Sequence, residues 1–329
     1  MAFGDKGGAV GWLIGQENKG LACMFTMMNS ARMSVGLQGV AISERATQHA
    51  LAYARERRQG RAPNSTSPAG AMDAIVHHPD VARTLMTMRA SADAARAICY
   101  ATAGALDRSH RLEDPAEKKL AAERNALLTP VAKAFSTDIG NEVASMGVQV
   151  HGGMGFVEET GAAQFMRDVR IAAIYEGTNG IQAIDLVQRK LPLSGGETVR
   201  REIADMRATV ESLRGSNVAE LTEMAEPIGD AVDALARATD YLLGALGSAP
   251  ADALAGAAPY LRLFGLARGG SLLAQLALAA HREGGGANAA RIATARFFAR
   301  NIAPGAGGLE LAVTEGAATV RDAAALLAG

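Results

Sequence analysis

The sequence has few cysteines and almost no excess of charge. Two cysteines among 329 residues, Cys23 and Cys99, cannot form a disulfide framework or a zinc site. Each lies in an apolar helical pattern, so we expect both in the core, and free thiols fit a reducing compartment. Lysine plus arginine number 33 and aspartate plus glutamate 34, a net charge of −1. This balance excludes a globally basic nucleic-acid binder and an acidic disordered tail.

Aromatic residues and long apolar runs are also scarce. Aromatics make up 4% of the chain, so Ala, Leu, Ile, Val and 13 Met must fill the core, which favours helices over a β-sandwich. The longest apolar runs, such as 276–280, fall far short of the roughly 20 residues that span a bilayer. The first 15 residues lack the basic start and cleavage site of a signal peptide. We therefore expect a cytoplasmic protein with no membrane segment.

The hydrophobic periodicity predicts helices along nearly the whole chain after residue 20. Asp114 followed by Pro115 and Glu117 is a strong helix-start signal, with an N-cap, a first-turn proline and a capping-box glutamate. The predicted helices cover about 21–58, 79–108, 115–150, 158–168, 179–190, 197–214, 218–247, 250–282, 286–301 and 308–328.

The predicted fold is all-α, with two helical bundles and one short strand at the N-terminus. The Gly- and Pro-containing segment 191–196 marks the boundary between a bundle at 21–190 and a second at 197–329. Within residues 1–20, the alternation over Ala9–Gly15 predicts a lone strand. A single strand has nothing to pair with here, so we expect it to belong to a preceding domain.

The segment around Glu176 is the most informative for chemistry. Glu176 follows an apolar run and precedes Gly177, and Thr178 can cap the next helix. Desolvation raises the pKa of a carboxylate and makes it a better base, while a glycine allows close approach of a ligand to the backbone. The alternative is that Glu176 merely precedes a helix start, where acidic residues are common.

A glycine-rich turn is the second candidate. Gln149 is followed by His151 and then by Gly152, Gly153 and Gly155, whose backbone N–H groups can face a phosphate. Glycines after a helix more often form only a C-cap and turn. No Ser, Cys or Asp stands at a telling spacing from His151, so we interpret it as structural.

Two arginines on the first helix are further candidates. Arg32 lies in an apolar, Met-rich segment where a bare charge is costly, so it needs a carboxylate or an anionic ligand. Arg57 ends that helix, where a solvated cation suits the helix dipole or binds a ligand.

Charges of opposite sign occupy neighbouring predicted helices in the second bundle. Residues 220–252 hold seven acidic residues against one Arg, and residues 255–300 hold six Arg against one Glu. This pattern favours an antiparallel bundle with charged edges. An Arg-rich binding stripe is the alternative.

The ordered motifs resemble those of the acyl-CoA dehydrogenase family. Residues 174–182, IYEGTNGIQ, are similar to its signature around the catalytic glutamate, and 149–156, QVHGGMGF, to its glycine-rich turn. Ser30–Arg32, Gly39 and Tyr53–Arg57 resemble the first long helix of the family's carboxy-terminal domain. The resemblance covers about 1–190. Residues 197–329 resemble the extra helical domain of a longer-chain branch, which includes enzymes acting on methylmercaptopropionyl-CoA.

The resemblance implies a function and a set of site residues. The family removes the α-proton of an acyl-CoA while the β-hydride passes to N5 of FAD, which leaves a trans-2-enoyl-CoA. By its motif Glu176 is the base, and Arg32 lines the acyl-CoA pocket. Arg57 meets the FAD pyrophosphate of a partner subunit, Gln149 and Gly153 pack on the adenosine side of FAD, and Thr178 touches the flavin. A homodimer or larger assembly and an electron-transfer flavoprotein are the implied partners.

The chain departs from the family pattern in two places. Gln59-Gly60-Arg61 stands where many relatives carry Thr-Phe-Gly. The family's amino-terminal helical domain and middle β-domain are missing, and only residues 1–20 resemble the last strand of that β-domain. We therefore expect a truncated chain that is poorly active alone, because the missing parts wall the flavin and the acyl chain.

Two alternatives remain open at this point. The chain can be a non-catalytic helical dimerisation module, or a DNA-associated relative, since one branch of the family binds DNA through its extra domain. The net charge of −3 over residues 191–329, with 12 basic and 15 acidic residues, argues against DNA, whereas the basic stretch 255–300 favours it.

Overall fold

The computed structural model describes residues 4–328, apart from the side chains of Thr26, Ala287 and Ala324. Over this range the chain is all-α, as predicted, and its only β-type pairing is an isolated bridge between Arg58 and Ala74. The helices, in chain order, are α1 (Gly20–Glu56), α2 (Pro79–Arg111), α3 (Pro115–His151), α4 (Gly153–Phe156), α5 (Ala162–Arg170), α6 (Asn179–Asp185), α7 (Glu197–Arg214), α8 (Ala219–Thr222), α9 (Ala225–Ser248), α10 (Pro250–Ala255), α11 (Ala257–Glu283), α12 (Gly286–Asn301), α13 (Ala306–Thr314) and α14 (Ala317–Ala328).

The first bundle is built on a close crossing of α1 and α3. A Cβ atom added at Gly39 would lie 2.4 Å from the carbonyl oxygen of Ser136, and one at Gly36 would lie 2.6 Å from that of Ala132. The two backbones therefore touch, and only glycine fits at these positions. Since the contacts advance in the same direction along both helices, α1 and α3 are parallel.

The N-cap and the first-turn proline of α3 form as the sequence predicts. The side chain of Asp114 accepts a hydrogen bond of 2.9 Å from the backbone N–H of Ala116, and Pro115 occupies the first turn. This cap satisfies a backbone donor that the helix itself cannot. From there α3 runs unbroken to His151 through the centre of the first bundle, where most of its residues from Leu127 to Gly140 are buried.

The second bundle is centred on α11, which also packs against α2, α3 and α6. By length and composition α11 could cross a membrane, but 72% of its most apolar window is buried against other helices, as in the core helix of a globular bundle.

Arg268 on α11 is buried and pairs at 2.8 Å with Glu202 on α7. Glu202 in turn binds Arg124 of α3, so a buried ion cluster joins the bundles.

Several predictions from the sequence were wrong. Ala9–Gly15 forms no strand, because no other described segment offers it an extended partner. Cys99 is buried, but Cys23 is exposed, since no described element covers the start of α1. The helix predicted over 218–247 is divided into α8 and α9, that over 250–282 into α10 and α11, and that over 308–328 into α13 and α14, with the last break at Glu315-Gly316.

Candidate functional site

A strained turn carries Glu176 between the end of α5 and the start of α6. Glu176 has φ +55° and Gly177 has φ +85°, so two consecutive residues lie in the left-handed region. For glutamate this conformation costs about 1–3 kcal/mol and persists only where the surroundings enforce it. The predicted cap at Thr178 is formed, because its side chain accepts a hydrogen bond of 3.3 Å from the N–H of Ile181.

Two side chains from different helices hold the carbonyl group of Glu176. Arg32 Nε on α1 and Gln182 Nε2 on α6 each donate to the Glu176 carbonyl oxygen at 3.3 Å. The glycine crossing described above places α1, and so Arg32, against this turn. The partner that Arg32 requires is Asp185, at 3.9 Å, and the arginine side chain is only 11% exposed.

The carboxylate of Glu176 remains uncommitted. Its Oε2 atom is buried and has no hydrogen-bond partner within the described residues, although Arg32 binds the same residue's backbone. A buried polar atom without a partner is rare in proteins and needs an explanation. An uncommitted carboxylate on a rigid turn is able to accept a proton from a bound ligand.

Lys133 is a residue of this site that the sequence reasoning missed. It lies on α3 and is fully buried. Its Nζ donates to the carbonyl oxygen of Gly177 at 2.9 Å and to Asn179 Oδ1 at 2.8 Å. Burial lowers the pKa of Lys133 to about 8. The available signal was a lone lysine in the mainly apolar run 127–135, which is unusual for a solvated residue.

The face around the turn is apolar and open to solvent. Ile174 and Ile181, on either side of Glu176, are 46% and 51% exposed. Tyr175 lies beside them and donates its hydroxyl proton to Gln38 on α1. Apolar side chains around a polar centre suit a largely hydrophobic ligand, but this face does not by itself enclose one.

The remaining candidate residues lie at the other end of the first bundle. Arg57, Gln149 and Gly153 are all exposed there, beside the ends of the parallel helices α1 and α3. Lys133, beneath the turn, and Gln149 are sixteen residues apart on α3, which is about 24 Å at 1.5 Å per residue. The structure therefore brings Arg32, Glu176 and Thr178 together, and places Arg57, Gln149 and Gly153 in a separate group.

His151 belongs to the packing of that far end. It is buried, and its Nδ1 lies 2.7 Å from the carbonyl oxygen of Gly147. Its ring stacks on Tyr53 with centroids 4.4 Å apart and lies 4.6 Å from the ring of His49. Burial lowers the pKa of His49, and the neighbouring His151 contributes to the shift. These contacts fit the structural role expected of His151.

The arginines of the second bundle bind the acidic residues of neighbouring helices. On α12, Arg296 pairs with Glu220 and Glu223, and Arg300 also approaches Glu223 at 3.8 Å. Arg237 of α9 binds Glu310 of α13 at 2.6 Å. These pairs agree with the charged helix edges that the sequence favours. They leave less positive charge for an external polyanion than the arginine count suggests.

The fold and this turn define a class of protein. The sequence matches the family model described as "Acyl-CoA dehydrogenase, C-terminal domain" over residues 18–191, and that described as "Acetyl-CoA dehydrogenase C-terminal like" over residues 202–324. The first match covers more than half of the chain. The chain belongs to the acyl-CoA dehydrogenase family.

Individual relatives agree with this assignment. The chain is 48% identical over 300 residues to 3-methylmercaptopropionyl-CoA dehydrogenase of Ruegeria pomeroyi, a match that covers 89% of this chain and 50% of the relative. It is 32% identical over 319 residues to the broad-specificity linear acyl-CoA dehydrogenase FadE5 of Mycobacterium tuberculosis, covering 92% and 52%.

A solved structure shares the fold. The acyl-CoA dehydrogenase of Bacillus anthracis, crystallised with FAD, superposes with a TM-score of 0.71 at 21% identity, covering 93% of this chain and 51% of that one. The chain spans about half the length of these relatives.

Proposed function

We propose that this chain supplies the catalytic base of an FAD-dependent acyl-CoA dehydrogenase, and that Glu176 removes the α-proton of an acyl-CoA thioester. The observation that carries the proposal is the buried, unpartnered Oε2 of Glu176 on a turn that three helices hold. The product is the trans-2-enoyl-CoA. This proposal deepens the family assignment, which by itself gives only the class of reaction.

The chemistry explains why the carboxylate is free and its backbone is bound. A thioester α-proton is weakly acidic, so its removal needs a positioned base whose lone pair is not already used by an arginine. In this structure Arg32 Nε donates a hydrogen bond to the Glu176 carbonyl oxygen, and Arg32 Nη1 forms an ion pair with Asp185. The arginine therefore fixes the turn without neutralising the base. Its location beside the turn supports a role at the edge of the acyl-CoA pocket.

The residues present fit FAD in two separate parts. FAD, when bound, supplies the acceptor for the β-hydride. Thr178 lies on the turn next to Glu176, whereas Arg57 at the far end is exposed and its guanidinium donates to Gln59 Oε1 at 3.2 Å. A guanidinium with no ion pair among the described residues is available to a pyrophosphate. The two groups lie at opposite ends of the first bundle, roughly 24 Å apart along α3, which favours a flavin site completed by a second copy of the chain.

The substrate class is a CoA thioester with a predominantly apolar acyl group. The exposed isoleucines around Glu176 support this choice, and the 48% identity to 3-methylmercaptopropionyl-CoA dehydrogenase favours a short or sulfur-containing acyl chain. An electron-transfer flavoprotein as electron acceptor and a cytoplasmic location remain proposals that follow from the family.

A non-catalytic dimerisation module is the second candidate. Exposed apolar side chains at the far end support it: Phe156 is 83% exposed and Met154 is 50% exposed. Exposed apolar groups of this kind mark surfaces that a partner covers. Such a module would bind neither flavin nor acyl-CoA.

A chimera separates the two candidates. The amino-terminal half of the Ruegeria pomeroyi dehydrogenase is joined ahead of residue 18, and the purified protein is examined for a flavin absorption spectrum. We expect bound flavin that is bleached anaerobically by 3-methylmercaptopropionyl-CoA or butyryl-CoA. A soluble dimer that binds no flavin would favour the dimerisation module, and bound flavin that no acyl-CoA bleaches would contradict the proposed reaction.

A further inference from the structure

A buried lysine supports the turn that carries Glu176. The side chain of Lys133 has no exposed surface, and removing an ammonium group from water is costly unless its donors are satisfied. Within the described part of the chain Lys133 forms no ion pair with a carboxylate. Both of its hydrogen bonds go to the turn, to Gly177 O and Asn179 Oδ1.

One of the two acceptors belongs to the strained part of the turn. Gly177 follows Glu176, both residues have positive φ, and a Cβ atom at Gly177 would lie 2.8 Å from Gln182 Nε2. Hydrogen bonds to a charged donor are shorter and stronger than neutral ones. The bond from Lys133 therefore fixes the carbonyl group directly after the residue that carries the base.

Asn179 extends this support to α3. Its Nδ2 donates to Asp138 Oδ1 at 2.6 Å and to Thr137 Oγ1 at 2.9 Å, while its Oδ1 accepts from Lys133. The turn is consequently anchored to one side of α3 through Lys133, Thr137 and Asp138. Arg32 of α1 also holds the turn, through the carbonyl oxygen of Glu176.

We infer that Lys133 is a positioning residue for the base: its hydrogen bonds to Gly177 and Asn179 hold the Glu176 carboxylate in the orientation that proton removal requires. The inference rests on the proposed function of Glu176. Lys133 lies beneath the backbone of the turn and acts through it, without contact with the acyl group.

The protonation state of Lys133 depends on the groups around it, because they shift its pKa. The pKa of Lys133 is lowered to about 8, with burial as the largest influence and Arg32 of α1 acting in the same direction. Asp138 on α3 and Glu176 on the turn act in the opposite direction, and Asp138 is itself influenced by Arg262 of α11 and Glu142 of α3. Deprotonation weakens both hydrogen bonds to the turn, so the wild-type rate should fall above a pH of about 8.

The test compares Lys133→Met with Lys119→Met, a matched change on the same helix where the lysine side chain is 71% exposed. In the flavin-loaded chimera, we expect Lys133→Met to lower kcat by about 10-fold or more and to change KM by less than about 3-fold. The fall in rate near pH 8 should also disappear. Lys133→Gln, whose amide can donate to Gly177 O, should recover part of kcat, and Lys119→Met should match the wild type.

Hydrogen–deuterium exchange on the chain itself gives a readout that does not depend on activity. Lys133→Met should accelerate exchange of the amides between Gly177 and Gln182 by about 10-fold, with protection of α7 and α11 unchanged. If the methionine variant does not fold, Lys133→Gln, which keeps a donor for Gly177 O, should show a smaller acceleration of exchange in the same amides. Unchanged exchange in the turn, or a higher KM at unchanged kcat, would overturn the inference. An active Glu176→Gln variant would instead remove the proposed function and leave the exchange result standing.

Discussion

Arg32 Nε donates to the backbone carbonyl oxygen of Glu176 at 3.3 Å, and no ion pair joins the two side chains within the described residues. Arg32 therefore stabilises the turn and leaves the Glu176 carboxylate free. This division between a bound backbone and an unbound side chain is the basis of the proposed mechanism.

The first prediction concerns the stabilising role of Arg32. Arg32→Met removes a charged donor from the Glu176 carbonyl group, and such hydrogen bonds contribute about 1.5–3 kcal/mol. We expect the free energy of unfolding in urea to fall by about that amount. The control is Arg189→Met, since Arg189 also pairs with Asp185 but is 72% exposed and should change stability by less than about 0.5 kcal/mol. Equal effects of the two changes would contradict this account.

The buried ion cluster between the bundles gives a second prediction. Glu202→Leu leaves the buried guanidinium of Arg268 with Asp205 alone, and breaking a buried pair costs about 3–5 kcal/mol. Urea unfolding should show this loss, and the double variant Glu202→Leu/Arg268→Leu should regain most of it. Arg207→Met breaks a pair with Asp233 that is half exposed on both sides and should cost at most about 1 kcal/mol. A double variant as unstable as the single one would show that packing, and not the unpaired charge, dominates.

The crossing of α1 and α3 predicts opposite outcomes for the same substitution at two glycines. Gly39→Ala places a Cβ atom 2.4 Å from the carbonyl oxygen of Ser136, and such overpacking costs about 1–3 kcal/mol. Gly104→Ala on α2 meets nothing within 4 Å and should stabilise the protein by up to about 1 kcal/mol. Thermal unfolding of both variants measures the contrast. A neutral Gly39→Ala would show that the two helices separate without cost.

Acid should weaken the loop that follows α1. Hydrogen bonds from Ser67, the Ala62 N–H and Ser65 lower the pKa of Asp73 to about 2, below its value in the unfolded chain of about 3.9. The stabilisation from ionised Asp73 is therefore complete above about pH 4 and is lost as the pH falls through 2. The stability difference between wild type and Asp73→Asn should shrink over that window. A difference that is constant between pH 6 and pH 2 would contradict the assigned hydrogen bonds.

The sequence pointed to Glu176 and Thr178 on the turn, but not to Lys133, which supports the turn from α3. Glu176, Thr178 and the cap at Asp114 follow from local signals, because turn and cap chemistry is encoded in a few adjacent residues. Lys133 was missed because its partners lie 44 and 46 residues away on another element. Its burial depends on how α3 packs, which a helical pattern does not report.

The two wrong predictions near the N-terminus, a strand and a buried cysteine, have a similar physical reason. Alternation over Ala9–Gly15 predicted a strand, but a strand forms only where a second extended segment pairs with it. The apolar pattern around Cys23 predicted that its side chain is buried. Such a pattern indicates an apolar helix face, but it does not show that another element covers that face.

The most direct test of the central claim is the rate of dye reduction by acyl-CoA in the flavin-loaded chimera, with and without Glu176→Gln. The substitution keeps the size of the side chain and removes its ability to take a proton, so the rate should fall by about 10²–10⁴-fold with flavin still bound. The chain alone, supplied with FAD, should show little turnover because the face around Glu176 is open to water. A Glu176→Gln chimera that reduces the dye as fast as its parent would contradict the assignment of Glu176 as the base.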